Sequence, residues 1–356
     1  MRHDTPCDGV QTGRGTGVIS LTLASVNPLY PIIIGPTAGG KSDLAVRLAH
    51  ALIGRGQPCE ILAADAYQIY RGMDIGTAKP AMEERGGVPH LLIDVVDPRD
   101  AFSASDWLAL AKRTIDDCFS RGVLPIVVGG THLYVKLLVD GMFEGPAADE
   151  ALREELRAMG LPALRAELER VDTAAAARIH PNDERRTIRA IEVFRLTGKA
   201  ISEHQRQWSG SDDDDHRQTG SKAAPEGRST GAQLLVGLDW PVELINRRIN
   251  LRVKMMMERG FLDEVRRLRE TQAFGTQSCE ALGYKQLLAH LDGSISLDDA
   301  VEQIKIQTRR FAKNQRTWLK RLRMTPGSVW IDATTDPTTW VDVATAAVAP
   351  HGVSRQ

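Results

Sequence analysis

Short apolar runs alternate with segments of helical periodicity through the first 145 residues of the chain. Ile32-Ile33-Ile34, Glu60 to Asp65, Leu91 to Val96 and Val123 to Val128 are near-continuous apolar runs of strand length. Runs of this kind fit strands covered on both faces. Between them, Asp43 to Ala49 and Ser103 to Ser120 place apolar residues at helical spacing, and the second segment opens with Ser103 and Asp106 in capping-box positions. Strands alternating with helices predict an α/β fold built on a parallel, doubly wound sheet. From Asp149 to about Thr197 the strand signal stops, and Ala, Arg, Glu and Leu dominate a wholly helical pattern. Leu234 to Leu238 restores a strand, after which helices continue to about Arg323. The simplest organisation is a sheet core over 28–145 and 233–335, interrupted by a helical insertion over 146–208. Residues 1–27 lack periodicity and predict a disordered leader. Residues 209–232, which include Asp212 to Asp215, predict a flexible acidic and glycine-rich loop, and 336–356 a C-terminal tail.

Composition narrows the class without naming a function. Hydrophobic content of 42% and charged content of 26% are those of a globular protein, and no apolar run reaches the length of a membrane span. Cys7, Cys59, Cys118 and Cys279 are scattered, without the spacing of a zinc site or a disulfide framework. The chain therefore reads as a cytoplasmic, membrane-free protein, and a monomer is expected. A net charge of −1 does not advertise a polyanionic partner, although overall balance can conceal a basic face.

The chemistry concentrates after the first strand. Gly35-Pro36-Thr37-Ala38-Gly39-Gly40-Lys41-Ser42 is a G-x-x-x-x-G-K-S loop between a strand and a helix, the context a phosphate-binding (P-loop) site requires. Loops of this kind ordinarily mark nucleotide, typically ATP, binding. Its glycines let backbone N–H groups converge on an anion, and the helix dipole adds to them. Lys41 is positioned for terminal phosphate oxygens and the Ser42 hydroxyl for Mg2+, the expected cofactor. Asp65, at the carboxyl end of the second strand, lies where open α/β sheets place ligands and can serve as a general base or reach a metal through water. Gly129-Gly130-Thr131 offers amides and a hydroxyl at a helix start, a second anion element. Two basic faces follow. Arg185, Arg186 and Arg189 share one side of a helix capped by Asn182 or Asp183, opposite Ile188, Ile191 and Phe194. Between Lys305 and Arg323 stand eight cations and no acid, a stripe suited to nucleic-acid phosphates.

Taken together, these residues resemble the tRNA dimethylallyltransferase family in its bacterial form. The resemblance runs from about Pro31 to Trp330 and rests on the phosphate loop, Arg71-Gly72-Met73-Asp74-Ile75-Gly76-Thr77-Ala78-Lys79-Pro80, Val128 to Tyr134, Arg178 to Asp183, Ala281 to Gln286 and Thr308 to Lys313. The resemblance implies a P-loop NTPase-like core in which the loop holds the diphosphate of dimethylallyl diphosphate, not ATP. It implies prenyl transfer to N6 of adenine 37 in the tRNA anticodon stem-loop. By position, Asp65 looks like the base that takes the N6 proton, and Thr131 like the group steadying the bridging oxygen of the leaving diphosphate. Asp65, Ala66, Tyr67 and Gln68 resemble the segment gripping the flipped adenine. Arg153, the run Arg185-Arg186-Thr187-Ile188-Arg189, and the run Glu280-Ala281-Leu282-Gly283-Tyr284-Lys285 fall where the family contacts tRNA. The chain departs from the family at Ala66, where a Ser is usual, at Gly39 in the loop, and at Asn314, where an Arg is usual. The competing readings are an adenylate isopentenyltransferase acting on free nucleotide, a P-loop small-molecule kinase, and a non-catalytic nucleotide-binding module.

Overall fold

The computed structural model describes residues 29–141, 145–208 and 233–348, so the expected leader and acidic loop lie outside the described residues. The first α/β portion comprises β1 (Tyr30–Ile34), α1 (Lys41–Ile53), β2 (Cys59–Ala64), β3 (His90–Leu91), α2 (Ala104–Ser120), β4 (Leu124–Gly129) and α3 (His132–Asp140). A helical stretch follows: α4 (Glu150–Met159), α5 (Leu161–Val171), α6 (Thr173–Arg178), α7 (Glu184–Thr197) and α8 (Ile201–Trp208). The chain then returns through β5 (Gln233–Asp239), α9 (Val242–Glu258), α10 (Phe261–Glu270), α11 (Tyr284–Leu291), α12 (Leu297–Leu322), β6 (Val329–Asp332) and α13 (Pro337–Val348).

All strand pairs are parallel, in the order β3-β2-β4-β1-β5-β6. β1 is central, with Ile33 level with Val128 on one side and Val236 on the other. Its five residues are buried on both faces, which is why its sequence is continuously apolar. Parallel pairing brings the carboxyl ends of β1, β2 and β4 to one edge, so the loops after them converge. Gly129 ends β4 because a Cβ there would lie 2.1 Å from the Ala64 carbonyl oxygen of β2. The main apolar core fills both faces of the sheet. The helices from α4 to α8 have a separate core of Leu156, Leu164, Leu168, Ile188, Ile191 and Val193. Among the described residues, no helix is long and apolar enough to cross a membrane.

Two expectations are corrected. The run Leu91 to Val96 is not a strand: β3 stops at Leu91, because Leu92 and Asp94 adopt left-handed backbone at φ 62° and 57°. That turn delivers the Asp94 carboxylate to Lys79. Residues 337–348 are not a tail but α13, which buries Trp340, Ala344 and Val348 at four-residue spacing against the core. Asp336 caps it by accepting from Thr338 N at 2.8 Å.

Candidate active site

The phosphate loop is held from outside by residues distant in sequence. Gln315 of α12 is 2% exposed and bridges two loops. Its Oε1 accepts from Thr37 N at 2.7 Å, and its Nε2 donates to the Gly130 carbonyl at 2.9 Å. On the other side, Arg248 Nε donates to the Ala38 carbonyl at 2.8 Å and Trp240 Nε1 to the Gly39 carbonyl at 3.0 Å. Gly39 N closes the turn onto the Pro36 carbonyl at 3.1 Å. The N–H groups of Ala38, Gly40, Lys41 and Ser42 have no acceptor among the described residues. Gly40 stands at the head of α1 with φ 85°, a conformation open to glycine at little cost. The result is a cup of unsatisfied amides at a helix N-terminus, the usual form of an anion site.

Cations crowd this cup. Lys41 Nζ donates to the Pro36 carbonyl at 2.9 Å. Burial, reinforced by Arg252 and partly opposed by Asp65, pulls its pKa down to about 8. Arg252 of α9 is likewise pulled below its usual range by burial, with Asp65 acting against the shift. No carboxylate lies within ion-pair distance of Arg252 among the described residues. Two half-buried cations with no carboxylate ion-pair partner among the described residues favour a polyvalent anion between them. Lys41 also depresses His132, on which burial is the larger influence.

Asp65 and Thr131 meet at the adjacent strand ends. Asp65 Oδ1 accepts from Tyr67 N at 2.9 Å and Gln68 N at 3.2 Å, fixing the carboxylate on its own turn. Its Oδ2 has no hydrogen-bond partner among the described residues. Thr131 Oγ1 accepts from Ala66 N at 3.1 Å, so the hydroxyl hydrogen is left to point elsewhere. The turn bearing Asp65 is clamped from below. Gln68 Nε2 donates to the carbonyls of Thr77 and Ala78 at 3.2 and 3.3 Å. Lys79, 9% exposed, binds Asp74 at 2.6 Å, Asp94 at 2.5 Å and the Tyr70 carbonyl at 2.8 Å. Buried Glu264 of α10 accepts from the amides of Asp74, Ile75 and Gly76 and from the Tyr284 hydroxyl at 2.6 Å. The run from Arg71 to Pro80 therefore serves to hold Gln68 and the Asp65 turn in place.

The residues expected at tRNA divide by environment. Tyr67 faces Asp65, Glu280 and Arg185 electrostatically; its hydroxyl pKa is raised chiefly by burial, with the two carboxylates adding and Arg185 opposing. α7 thus brings Arg185 within reach of the site. Arg185 and Arg186 are exposed, α7 being capped by Asp183, which accepts from Arg186 N at 3.1 Å. Thr187 and Ile188, by contrast, are buried at 0% and 6%, their side chains taken up by the helical core. Arg189 and Arg153 converge on Glu192, which is 0% exposed, at 2.6 and 2.9 Å, and Arg189 also donates to the Pro146 carbonyl. These two arginines compensate a buried carboxylate, so the expected common phosphate-facing side of α7 is not uniform. Ala281, Gly283 and Tyr284 are buried, Leu282 is half-buried, and Glu280 and Lys285 form an exposed ion pair at 2.7 Å. Along α12, Lys305 and Arg309 lie by Glu302 at 3.3 and 3.5 Å, and Arg323 pairs with Asp239 at 2.8 Å. Arg310, Lys313, Lys320 and Arg321 are exposed.

Fold and site together define an α/β protein whose phosphate-loop motif forms an amide cup suited to an anion, with a carboxylate and a threonine beside it. Within that class the chain belongs to the IPP transferase family, whose model matches residues 68–322. It is 41% identical over 309 residues to the tRNA dimethylallyltransferase of Bacillus subtilis (strain 168), covering 85% of this chain and 90% of the relative. It is 45% identical over 310 residues to that of Syntrophobacter fumaroxidans, covering 85% and 83%. Among solved structures it is similar to the full-length tRNA isopentenylpyrophosphate transferase from Bacillus halodurans, with a TM-score of 0.63, 36% identity, and coverage of 91% and 98%. A eukaryotic dimethylallyltransferase acting on tRNA gives a TM-score of 0.72 at 26% identity, over 92% of this chain and 81% of the other.

Proposed function

We propose that this chain transfers the dimethylallyl group of dimethylallyl diphosphate to N6 of adenine 37 in the tRNA anticodon stem-loop, giving N6-dimethylallyladenosine and diphosphate. The observation that carries this reading is the pairing of the amide cup, flanked by Lys41 and Arg252, with the Asp65 carboxylate and Thr131 hydroxyl at the next strand ends. The adenine amine is a weak nucleophile because its lone pair is delocalised into the ring. An allylic carbon tolerates positive charge, so much of the rate can come from stabilising the diphosphate as it leaves, with proton removal from N6 contributing beside it. The carbon–oxygen bond to diphosphate breaks as the bond from N6 forms. Loop amides, Lys41 and Arg252 stabilise the charge gathering on the leaving group, and the Thr131 hydroxyl donates to its bridging oxygen. The free oxygen of Asp65 accepts the N6 proton. The adenine must leave its stack to reach this turn, where Tyr67 and Gln68 flank it.

Mg2+ fits as a ligand of the diphosphate. The exposed Ser42 hydroxyl at the head of α1 supplies one protein oxygen, and this ion commonly takes the rest from phosphate and water. Bound there, it would neutralise further leaving-group charge. Exposed Arg185 and Arg186, with Arg310, Lys313, Lys320 and Arg321, supply phosphate-backbone contacts. Incubation with anticodon stem-loop RNA and labelled dimethylallyl diphosphate tests the reading. Label is expected on the RNA only when adenine 37 is present. Label on AMP with none on RNA, or phosphate transfer from ATP, would overturn it.

A further inference from the structure

Helix α13 carries no residue assigned above, yet its indole lies against the phosphate loop. Trp340 is 4% exposed. A Cβ built on Gly40 would meet its Cζ3 at 3.1 Å and its Cη2 at 3.4 Å, so the ring packs directly on the backbone at the mouth of the anion cup. Trp340 also stands edge-on to Trp240, with centroids 6.2 Å apart and planes at 87°. Arg248 lies over the other aromatic surface of this brace, 4.7 Å from the Trp240 centroid. Trp240 and Arg248 are the two side chains that hold the Gly39 and Ala38 carbonyls. In a planar trans peptide the N–H points opposite to the carbonyl. Tying the Gly39 carbonyl outward therefore aims the Gly40 N–H, which has no protein acceptor among the described residues, into the cup.

We propose that α13 is a strut for the phosphate loop and that Trp340 is a positioning residue for diphosphate binding, acting through Gly40 and Trp240 without touching substrate. The inference rests on the diphosphate reading of the loop given above. An anion site gains affinity when its donors are fixed in advance, since ordering cost is then met by folding and not by binding. Without the indole, Gly40 keeps only the Arg248 guanidinium, 3.9 Å from that Cβ, behind it and Trp240 loses its edge contact, so the amides sample more orientations.

The test compares Trp340→Ala, Trp340→Leu and Trp340→Phe with Val348→Ala. The last removes buried volume from the same helix at a residue 7% exposed that packs in the main core, about two turns beyond Trp340. Inorganic diphosphate with Mg2+ is the binding probe, followed by calorimetry, and anticodon stem-loop RNA is the second ligand. For Trp340→Ala the expected result is diphosphate affinity and KM for dimethylallyl diphosphate worsened about tenfold, with RNA affinity held within about twofold. Trp340→Phe, which keeps a flat ring, should recover most of the loss. If Trp340→Ala does not fold, Trp340→Leu carries the same expectation at several-fold, since it keeps bulk but not the ring edge. Val348→Ala should lower thermal stability without moving diphosphate affinity. Unchanged diphosphate affinity in the folded Trp340 variants, or an equal loss in Val348→Ala, would overturn the inference alone. Absence of diphosphate binding by the wild-type protein would overturn the diphosphate reading, and this inference with it.

Discussion

Lys41 is the residue whose environment has the most direct consequence. Its pKa in the free protein stands at about 8, against the ordinary 10.5, because burial and Arg252 outweigh Asp65. A diphosphate in the cup favours the ammonium form, so binding near and above pH 8 should be accompanied by proton uptake. Affinity should weaken as pH rises from about 7 to about 9.5, and the slope should flatten in Lys41→Met. Calorimetry in two buffers of different ionisation enthalpy reads the proton directly; equal heats at pH 8.5 would contradict a depressed Lys41. The sign for stability is opposite. Between about pH 8 and 10.5 the unfolded chain holds more protons at this lysine than the folded one. Lys41 alone therefore makes the free protein gain stability as pH rises through that window. At this scale the sequence was informative where function follows from spacing, as in G-x-x-x-x-G-K-S. It was silent on Gln315, Arg252, Arg248 and Trp240, which stand some 200 residues or more after the loop and act on it only through folding.

At the scale of elements, α7 divides its arginines between two tasks. Arg185 and Arg186 are exposed at its start, whereas Arg189, with Arg153 of α4, neutralises the buried Glu192. Replacing Arg185 and Arg186 together by Ala should weaken tRNA binding and make the dependence of log K on log salt shallower by up to about two, if each neutralises one phosphate. Arg189→Ala should instead lower the melting temperature, because a buried carboxylate loses a partner, and should leave the salt slope nearly unchanged. A salt series of tRNA affinities for the three proteins decides this, and a flat response in the double variant would reduce those arginines to solvation of the helix. The division was partly visible beforehand: Arg189 and Glu192 stand three apart, the spacing of a helical ion pair. Trp340, Ala344 and Val348 likewise recur every four residues, the mark of the packed helix α13. The failure at Leu91 to Val96 has another cause. An apolar run signals burial, but here a turn with left-handed residues serves the Lys79 clamp.

Across the whole molecule, one sheet edge gathers the amide cup after β1, the Asp65 turn after β2 and the Thr131 turn after β4, while α9, α12 and α13 brace them from the later half of the chain. A net charge of −1 coexists with exposed basic residues at the start of α7 and along α12 because charge is segregated in space, not because it is absent. The parallel α/β class from the alternation of runs, and the loop from its motif, were legible because both are local patterns; the strand order and the edge strand β6 were not. Braces between distant segments are not local, and no periodicity announces them.

The central claim is that Asp65 takes the proton from an adenine amine while the loop holds the departing diphosphate. Asp65→Asn tests it with little disturbance, since the amide oxygen can still accept from Tyr67 N and Gln68 N as the carboxylate does now at 2.9 and 3.2 Å. The measurement is single-turnover transfer from dimethylallyl diphosphate to anticodon stem-loop RNA, with both substrates saturating, for wild-type and Asp65→Asn proteins. The expected result is transfer to adenine 37 by the wild type and a rate about 10²–10⁴ lower for the variant, with affinity for both substrates within a few-fold. Transfer by Asp65→Asn at the wild-type rate would contradict it.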